Sequence, residues 1–388
     1  MAYSKEKIED ILNAFALTIG ISDDLFDTAD SEYKALGNWI EKKNTDEGRE
    51  LRVNIYPQGS FALGTVVKPI SDSDDYDLDL VCEIEHGPSF SAKELKCDVV
   101  KPWLTSYKKT KTEIEEKRRC WHVEYEDAPN FHMDVVPALK AMSEKLNTAI
   151  RITDKDLERY PVYIFQNSNP KAYVEWFFGR CRQGRSMRVS AQVEAYGGVK
   201  QDDLKENKHK TILQKTVQLL KRHRDIMFYS ETEVKPISII ITTLAGWLYK
   251  GETTVLDAIQ GFVNGVEYYL KTTMKQGRYS IPNPTCKDED FAEKWNKNPE
   301  RKEAFFRWIR QLKKDFNLQN MMNSDRVAFG KEMKRILGAN TGAVVFRVMG
   351  NNEVMAVKAA TLKLDASTGG FSKVGTVVVP PSHHYGKI

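Results

Sequence analysis

Two lobes of α+β type, a mixed sheet with helices followed by a mainly helical second half, are predicted for this chain by three observations. Apolar residues recur every three to four positions before Gly20 and after about Tyr196, whereas between Leu51 and Leu139 the apolar runs are short and partly alternating. The 388 residues suffice for two separate cores. Hydrophobic residues at 41% and charged residues at 29% match an ordinary globular chain and exclude disordered and fibrous classes. The expected division is a first lobe over 1–195, which includes the N-terminal helices, a helical lobe over 196–340, and a C-terminal segment and tail over 341–388.

A first helix is expected from Ser4 to Gly20, with Ile8, Ile11, Leu12 and Phe15 on one face. A second places Tyr33, Leu36, Trp39 and Ile40 together, and the charged run Glu41 to Glu50 leads out of it. Strands follow at Val53 to Tyr56, Tyr76 to Ile84, Cys120 to Glu126 and Phe131 to Leu139, with a short turn over 127–130 joining the last two as a hairpin. Between them, Ala92 to Lys117 reads as helix interrupted at Pro102. The second half opens with a helix over 202–229, striped by Leu213, Val217 and Leu220. Pro236 starts the next, over Ile237 to Tyr249. Thr254 with Asp257 caps one running to Leu270, and Asn298-Pro299 begins one running to Phe316. A helix over Ser324 to Leu337 stops at Gly338. Ala343 to Ile388, rich in Val, Gly, Ser and Thr, is expected to be strand plus a loose tail.

Charge and cysteine content narrow the function. With 58 basic against 54 acidic residues, the net charge of +4 supplies no bulk field for gripping nucleic acid, so phosphate recognition must be local. The polar start lacks a signal-peptide pattern and the apolar run over 237–249 is too short to span a bilayer, which points to the cytoplasm with no membrane partner. The five scattered cysteines form no C-x-x-C pair and are expected to be reduced.

The chemistry concentrates in two segments. Gln58-Gly59-Ser60-Phe61-Ala62-Leu63-Gly64-Thr65 precedes Asp75-Tyr76-Asp77-Leu78-Asp79-Leu80. Residues two apart in a strand share a face, so Asp77 and Asp79 project together while Leu78 and Leu80 enter a core. Two such carboxylates repel unless a divalent cation such as magnesium lies between them. Gly59 lets the backbone approach a phosphate, whose oxygens can bond to exposed N–H groups and to the Ser60 hydroxyl. Asp134, in the apolar strand Met133 to Pro137, needs a partner, and a shared metal would provide one.

This combination of Gly-Ser, Asp-x-Asp and a later strand acid resembles the polymerase-beta-like nucleotidyltransferase superfamily. The longer run Gln58 to Thr65, the segments Ser168-Asn169-Pro170-Lys171 and Trp176-Phe177, Lys221-Arg222-His223-Arg224-Asp225, and Pro282-Asn283-Pro284 before Trp295 resemble the bacterial CD-NTases, relatives of cyclic GMP-AMP synthase. The resemblance implies a two-lobed, template-independent enzyme with nucleotides in the cleft. Its product would be a cyclic di- or trinucleotide made from ATP and GTP or another nucleoside triphosphate as an alarm signal in anti-phage (CBASS) defence. It implies two Mg2+ or Mn2+ ions, with Asp77 and Asp79 holding both and Asp134 one, and Lys221 and Ser238 gripping the donor triphosphate. No cysteine and histidine cluster corresponds to the zinc thumb of the animal relative, so no nucleic-acid activator is expected.

Simpler readings stand beside these. Asp72, Asp74 and Asp75 suit a solvated turn. Lys221, near Lys205, Lys208, Lys210, Lys215, Arg222 and Arg224, suits a solvated basic face, and Ser238 a helix cap. Gly179 to Ser186 approximates a P-loop but has Arg in place of its Lys. His122 and His132 suit hydrogen-bonded structural residues, and Trp176, Phe177 and Phe178 a packed core. An enzyme that adds nucleotides to RNA or a small-molecule acceptor, or a non-catalytic nucleotide-binding module, uses the same motifs. The Pro380 to Ile388 tail is either a handle for a defence-system partner or an end without function.

Overall fold

The computed structural model describes residues 3–47, 51–71, 75–86, 89–107, 114–124, 131–141, 148–156, 162–183, 210–358, 363–364, 371–372 and 377–378. Helix α1 (Lys5–Ile19) starts at Ser4, whose side chain accepts from the Lys7 N–H, and α2 (Asp23–Asp46) is capped likewise by Ser22. Strand β1 (Arg52–Pro57) runs into the single turn α3 (Gly59–Ala62), and β2 (Tyr76–His86) follows. A π-helical stretch, Glu94–Val100, continues into α4 (Lys101–Thr105). Pro102 falls at the junction where the π-helical stretch passes into α4, so the helical segment runs on through it without interruption. The helix expected to reach Lys117 ends at Thr105, and Glu115–Glu116 forms β3.

Strands β4 (Trp121–Glu124), β5 (Phe131–Lys140), β6 (Ile150–Asp156) and β7 (Val162–Ser168) complete a mixed seven-stranded sheet. Its central pair, β2 and β5, is parallel, and the other pairings are antiparallel. β5 pairs with β4 over 132–135 and with β6 over 138–140. Pro137, with no N–H to give, sits between those pairings. β6 and β7 lie outside the predicted strands, because their polar composition (Arg151, Asp154, Lys155, Gln166, Asn167) hides the apolar alternation. The expected 127–130 turn lies outside the described residues.

One sheet face carries Leu78, Leu80, Cys82, Ile84, Met133 and Val135 into a core with α2 and the 94–105 helical segment. The opposite face, which bears Asp77, Asp79 and Asp134, looks toward the second half of the chain. That half comprises α5 (Pro170–Cys181), α6 (Ile212–Met227), α7 (Ser238–Leu248), α8 (Val255–Thr272), the β8–β9 hairpin (Pro282–Asn283, Cys286–Asp290), α9 (Glu293–Lys297), α10 (Pro299–Asp315), α11 (Leu318–Asn323), α12 (Arg326–Leu337) and α13 (Ala339–Lys358). Leu213, Val217 and Leu220 of α6 are fully buried, as their spacing predicts. The part of the expected helix over 202–209 is not among the described residues. Ile8, Ile11, Leu12 and Phe15 of α1 join this helical core, not that of the sheet.

The segment after Ala343 differs from expectation. It is helix to Lys358, and only the pairs Lys363–Leu364, Phe371–Ser372 and Val377–Val378 are strand. Val345, Phe346 and Met349 pack against the helical core. Burial of that face outweighs the weak helix propensity of the Val and Gly residues. Among the described residues no helix is long and apolar enough to cross a membrane, and all five cysteines are free thiols.

A buried polar network ties α6 to α10 and α12. The Trp308 Nε1–H donates to His223 Nδ1 at 3.1 Å, so His223 is neutral and its Nε2–H donates to Asp315 Oδ2 at 2.8 Å. Asp315 also accepts from Gln311 and Arg335. Burial lowers the His223 pKa despite Asp315, so the unfolded chain takes up the proton first as pH falls. Burial would raise the Asp315 carboxyl, but His223 and Arg335 hold it below the ordinary carboxylate range, and its stabilisation is also lost on acidification. The contribution of this network to stability is therefore expected to be level above about pH 6.5 and to decline below it. In His223→Gln the decline between about pH 6.5 and 5 should shrink, as thermal melts across that range would record. An unchanged slope would contradict the neutral assignment.

Candidate active site

The period of two along β2 and β5 places the acids. Asp79 is the direct register partner of Asp134 in the parallel pair, and Asp77 is the partner of His132. Neighbouring strands lie about 4.8 Å apart, so the backbone itself brings Asp79 and Asp134 together. Burial, then the charges of Asp134 and Asp77, push the Asp79 carboxyl up to about 7. Burial raises the Asp77 carboxyl too, but the His132 bond and charge outweigh it and leave the group low.

Gly59 abuts these acids. Its φ is +59°, and a Cβ there would sit 2.4 Å from Asp79 Oδ2. Glycine is required on both counts. Gln58 precedes α3, and its N–H donates to the Asp79 carbonyl at 2.8 Å, which fixes the turn to β2. Ser60 is half-buried in the same turn, and its carbonyl accepts from the Thr65 N–H at 2.9 Å.

Lys221 reaches the site from α6. It is 6% exposed, as Arg222 and Arg224 are 3% and 5%, so the solvated basic face is not what forms: helix packing turns these cations inward. Lys205 and Lys208 are outside the described residues. Lys221 Nζ donates to the Thr65 carbonyl at 2.9 Å. Burial, then the nearby Arg224, lowers its pKa to about 8, with Asp225 and Asp79 opposing. The Ser238 hydroxyl accepts from Arg224 Nη1 at 3.0 Å and makes no capping bond, since Ile237 occupies the N-cap position. Arg224 also donates to the Pro236 carbonyl and pairs with Asp225, which in turn pairs with Lys235.

Both histidines read as structural are hydrogen-bonded, and their partners are the site acids. His122 Nδ1 lies 2.8 Å from Asp134 Oδ1, His132 Nε2 bonds Asp77 Oδ1, and the rings are 4.3 Å apart. The signal was the strand parity, which puts His122 opposite Trp121 and Val123, and His132 on the face of Asp134. Trp176, Phe177 and Phe178 are core and near-core residues, as the simpler reading had them. Arg180 of the P-loop-like run donates to the Gly246, Trp247 and Tyr249 carbonyls and so caps α7. Residues 184–186 of that run are not described.

The donor set suits divalent cations. Three hard carboxylates share one face, and burial, then the charges of Asp134 and Asp77, raise the Asp79 pKa against the partial opposition of Lys221 and His132. Among the described residues no three His, Cys, Asp or Glu side chains converge on one point. Asp77 and Asp134 are each turned onto a histidine, so side-chain rotation and not backbone placement separates them.

Residues 7–180 match the family described as the Second Messenger Oligonucleotide or Dinucleotide Synthetase domain. A protein of Roseivirga ehrenbergii named c-di-GMP synthase is 28% identical over 335 residues, 86% of this chain and 84% of that one. The chain is thus similar to the CD-NTases, the family of cyclic-dinucleotide synthases. The fold of this chain is similar to that of CdnG, the Bradyrhizobium diazoefficiens CD-NTase solved in complex with GTP. The TM-score is 0.70 at 20% identity, over 89% of this chain and 99% of that one. The GTP-bound form of Vibrio cholerae DncV matches with a TM-score of 0.53 at 16% identity, over 87% and 90%. These likenesses establish the two-lobed α+β nucleotidyltransferase fold.

Proposed function

We propose that this chain is a CD-NTase that joins nucleoside triphosphates, ATP with GTP or another, into a cyclic di- or trinucleotide and releases pyrophosphate without a template. The observation that carries the reading is the Asp79–Asp134 register pair with Asp77 on the same face and Gly59 against it. Asp77, Asp79 and Asp134 would hold two Mg2+ or Mn2+ ions, which when bound supply Lewis-acid stabilisation of the α-phosphate and acidify the attacking hydroxyl. The Gly59–Ser60 backbone and the Ser60 hydroxyl bind the donor triphosphate, with Gln58 fixing the turn. Lys221 adds positive charge after exchanging the Thr65 carbonyl for phosphate, and Ser238 lies beside Arg224 on the same wall. The ribose oxygen bonds to the α-phosphorus, the bond to the β-phosphate oxygen breaks in line, and Asp134 Oδ2 receives the hydroxyl proton while His122 holds Oδ1. A second transfer in the same cleft closes the ring.

Incubating the purified chain with the four nucleoside triphosphates and Mg2+ or Mn2+ tests this. A cyclic product by mass spectrometry and release of pyrophosphate are expected without added acceptor, DNA or RNA. Product that forms only with an RNA or small-molecule acceptor, or pyrophosphate release that depends on DNA or RNA, would overturn the reading. The setting is cytoplasmic anti-phage (CBASS) signalling, with residues 380–388 as the handle for a defence-system partner. Deleting 380–388 is expected to leave purified activity unchanged and to abolish defence in cells. Loss of catalysis on truncation would contradict the handle, as would intact defence.

A further inference from the structure

The chain between Leu63 and Lys68 belongs to no strand or helix, yet four of its carbonyls are held by a single face of α6. Gln214 Nε2 donates to the Leu63 carbonyl at 2.9 Å and Gln218 Nε2 to that of Val66 at 2.6 Å. Lys221 Nζ donates to that of Thr65 at 2.9 Å and Arg222 Nη2 to that of Lys68 at 2.7 Å. Positions 214, 218, 221 and 222 are spaced four, seven and eight apart, which is one stripe of a helix. All four side chains are buried, Gln218 completely. A buried polar stripe is destabilising unless paired, and leucines would pack two lobes together without it. What donors add is position. Gln214 also links the stripe to the helix start, since its Oε1 accepts from the Thr211 N–H in a capping box. Its Nε2 lies 2.6 Å from where a Cβ on Gly64 would be, and Gly64 has φ +64°. The side chain and the turn are therefore fitted to each other.

We infer that Gln214 and Gln218 are positioning residues that set the Gly59–Thr65 turn from the helical lobe, through the carbonyls of Leu63 and Val66. The start of the turn is fixed to β2, where the N–H of Gln58, just before it, meets the Asp79 carbonyl. Its far end is anchored by α6. Movement of α6 thereby moves the turn relative to the carboxylates, and nucleotide affinity depends on two glutamines that touch no nucleotide. This rests on the proposed role of the turn in binding triphosphate.

Gln214→Met and Gln218→Met, made singly in the full chain, keep side-chain length and remove the donor. Hydrogen exchange of residues 60–68 is expected to accelerate about tenfold in each, the scale of one lost buried hydrogen bond, while exchange in β2 and β5 is unchanged. That measurement needs no nucleotide, so it stands whether or not the turn binds triphosphate. Unchanged exchange in 60–68 would overturn the inference. With nucleoside triphosphate and Mn2+, KM is expected to rise about tenfold with kcat within about twofold. A merely structural role gives the reverse, a lower kcat at constant KM in proportion to a lower melting temperature, and that result would also overturn it. Arg222→Met, which frees only Lys68, should change KM least, and equal effects in all three variants would contradict the positioning of the turn. Failure of the proposed function is seen separately, as wild-type protein that neither binds triphosphate nor turns it over.

Discussion

Asp79→Asn is expected to lower turnover by ~10³-fold or more while leaving the fold intact, because a metal-bracing carboxylate contributes several kcal/mol to the transition state. The geometry sets the sign of the stability change as well. Asp79 stands in register with Asp134, beside Asp77, and its pKa is raised to about 7 by burial and by those two charges. Replacing it with the neutral isostere removes repulsion, so the melting temperature without divalent metal should stay level or rise. Pyrophosphate release and product mass spectrometry read the first effect, and calorimetry the second. Asp77→Asn should match it in turnover. Near-normal rates in either variant would sink the metal assignment, whereas lost activity with a lowered melting temperature would indicate a structural carboxylate.

The second large effect is expected from Gly59→Ala. The added Cβ would lie 2.4 Å from Asp79 Oδ2, and φ of +59° disfavours any L side chain there. The strain alone costs roughly 1–2 kcal/mol. The larger consequence is that the turn and the Asp79 carboxylate cannot both keep their places, so kcat/KM should decline by ~10²-fold or more. Gly64→Ala is the comparison. Its φ is +64° and its Cβ would press on Gln214 Nε2, a buried amide that holds the turn and is not a site carboxylate, at 2.6 Å. The backbone strain is alike in the two variants while the neighbour differs. A much smaller loss in Gly64→Ala would tie the Gly59 effect to the carboxylate, and equal losses would reduce it to strain.

What the sequence by itself determined is local. The facing of Asp77 and Asp79 follows from their separation by two in an alternating strand. The starts of α1 and α8 follow from Ser4 and Thr254, each within three residues of the N–H it accepts from. The buried stripe of α6 follows from residues three and four apart. Each signal lies within one turn of helix or one pleat of strand, where backbone geometry fixes which side chains are neighbours. Tertiary structure decided the rest. That Asp134 lies opposite Asp79 depends on the parallel pairing of β2 with β5, which requires a long crossover and has no local mark. His132 meets Asp77 through that register, and His122 meets Asp134 through the antiparallel pairing of β4 with β5, neither of which strand parity specifies. Residues 339–358 are helical because Val345, Phe346 and Met349 meet a core built by distant segments, against their own propensity. Lys221 points inward, away from solvent, because the carbonyls of 63–68, more than 150 residues earlier, supply acceptors for the polar stripe of α6. Sequence spacing states which residues share a face, and only packing between segments far apart in the chain states what that face meets.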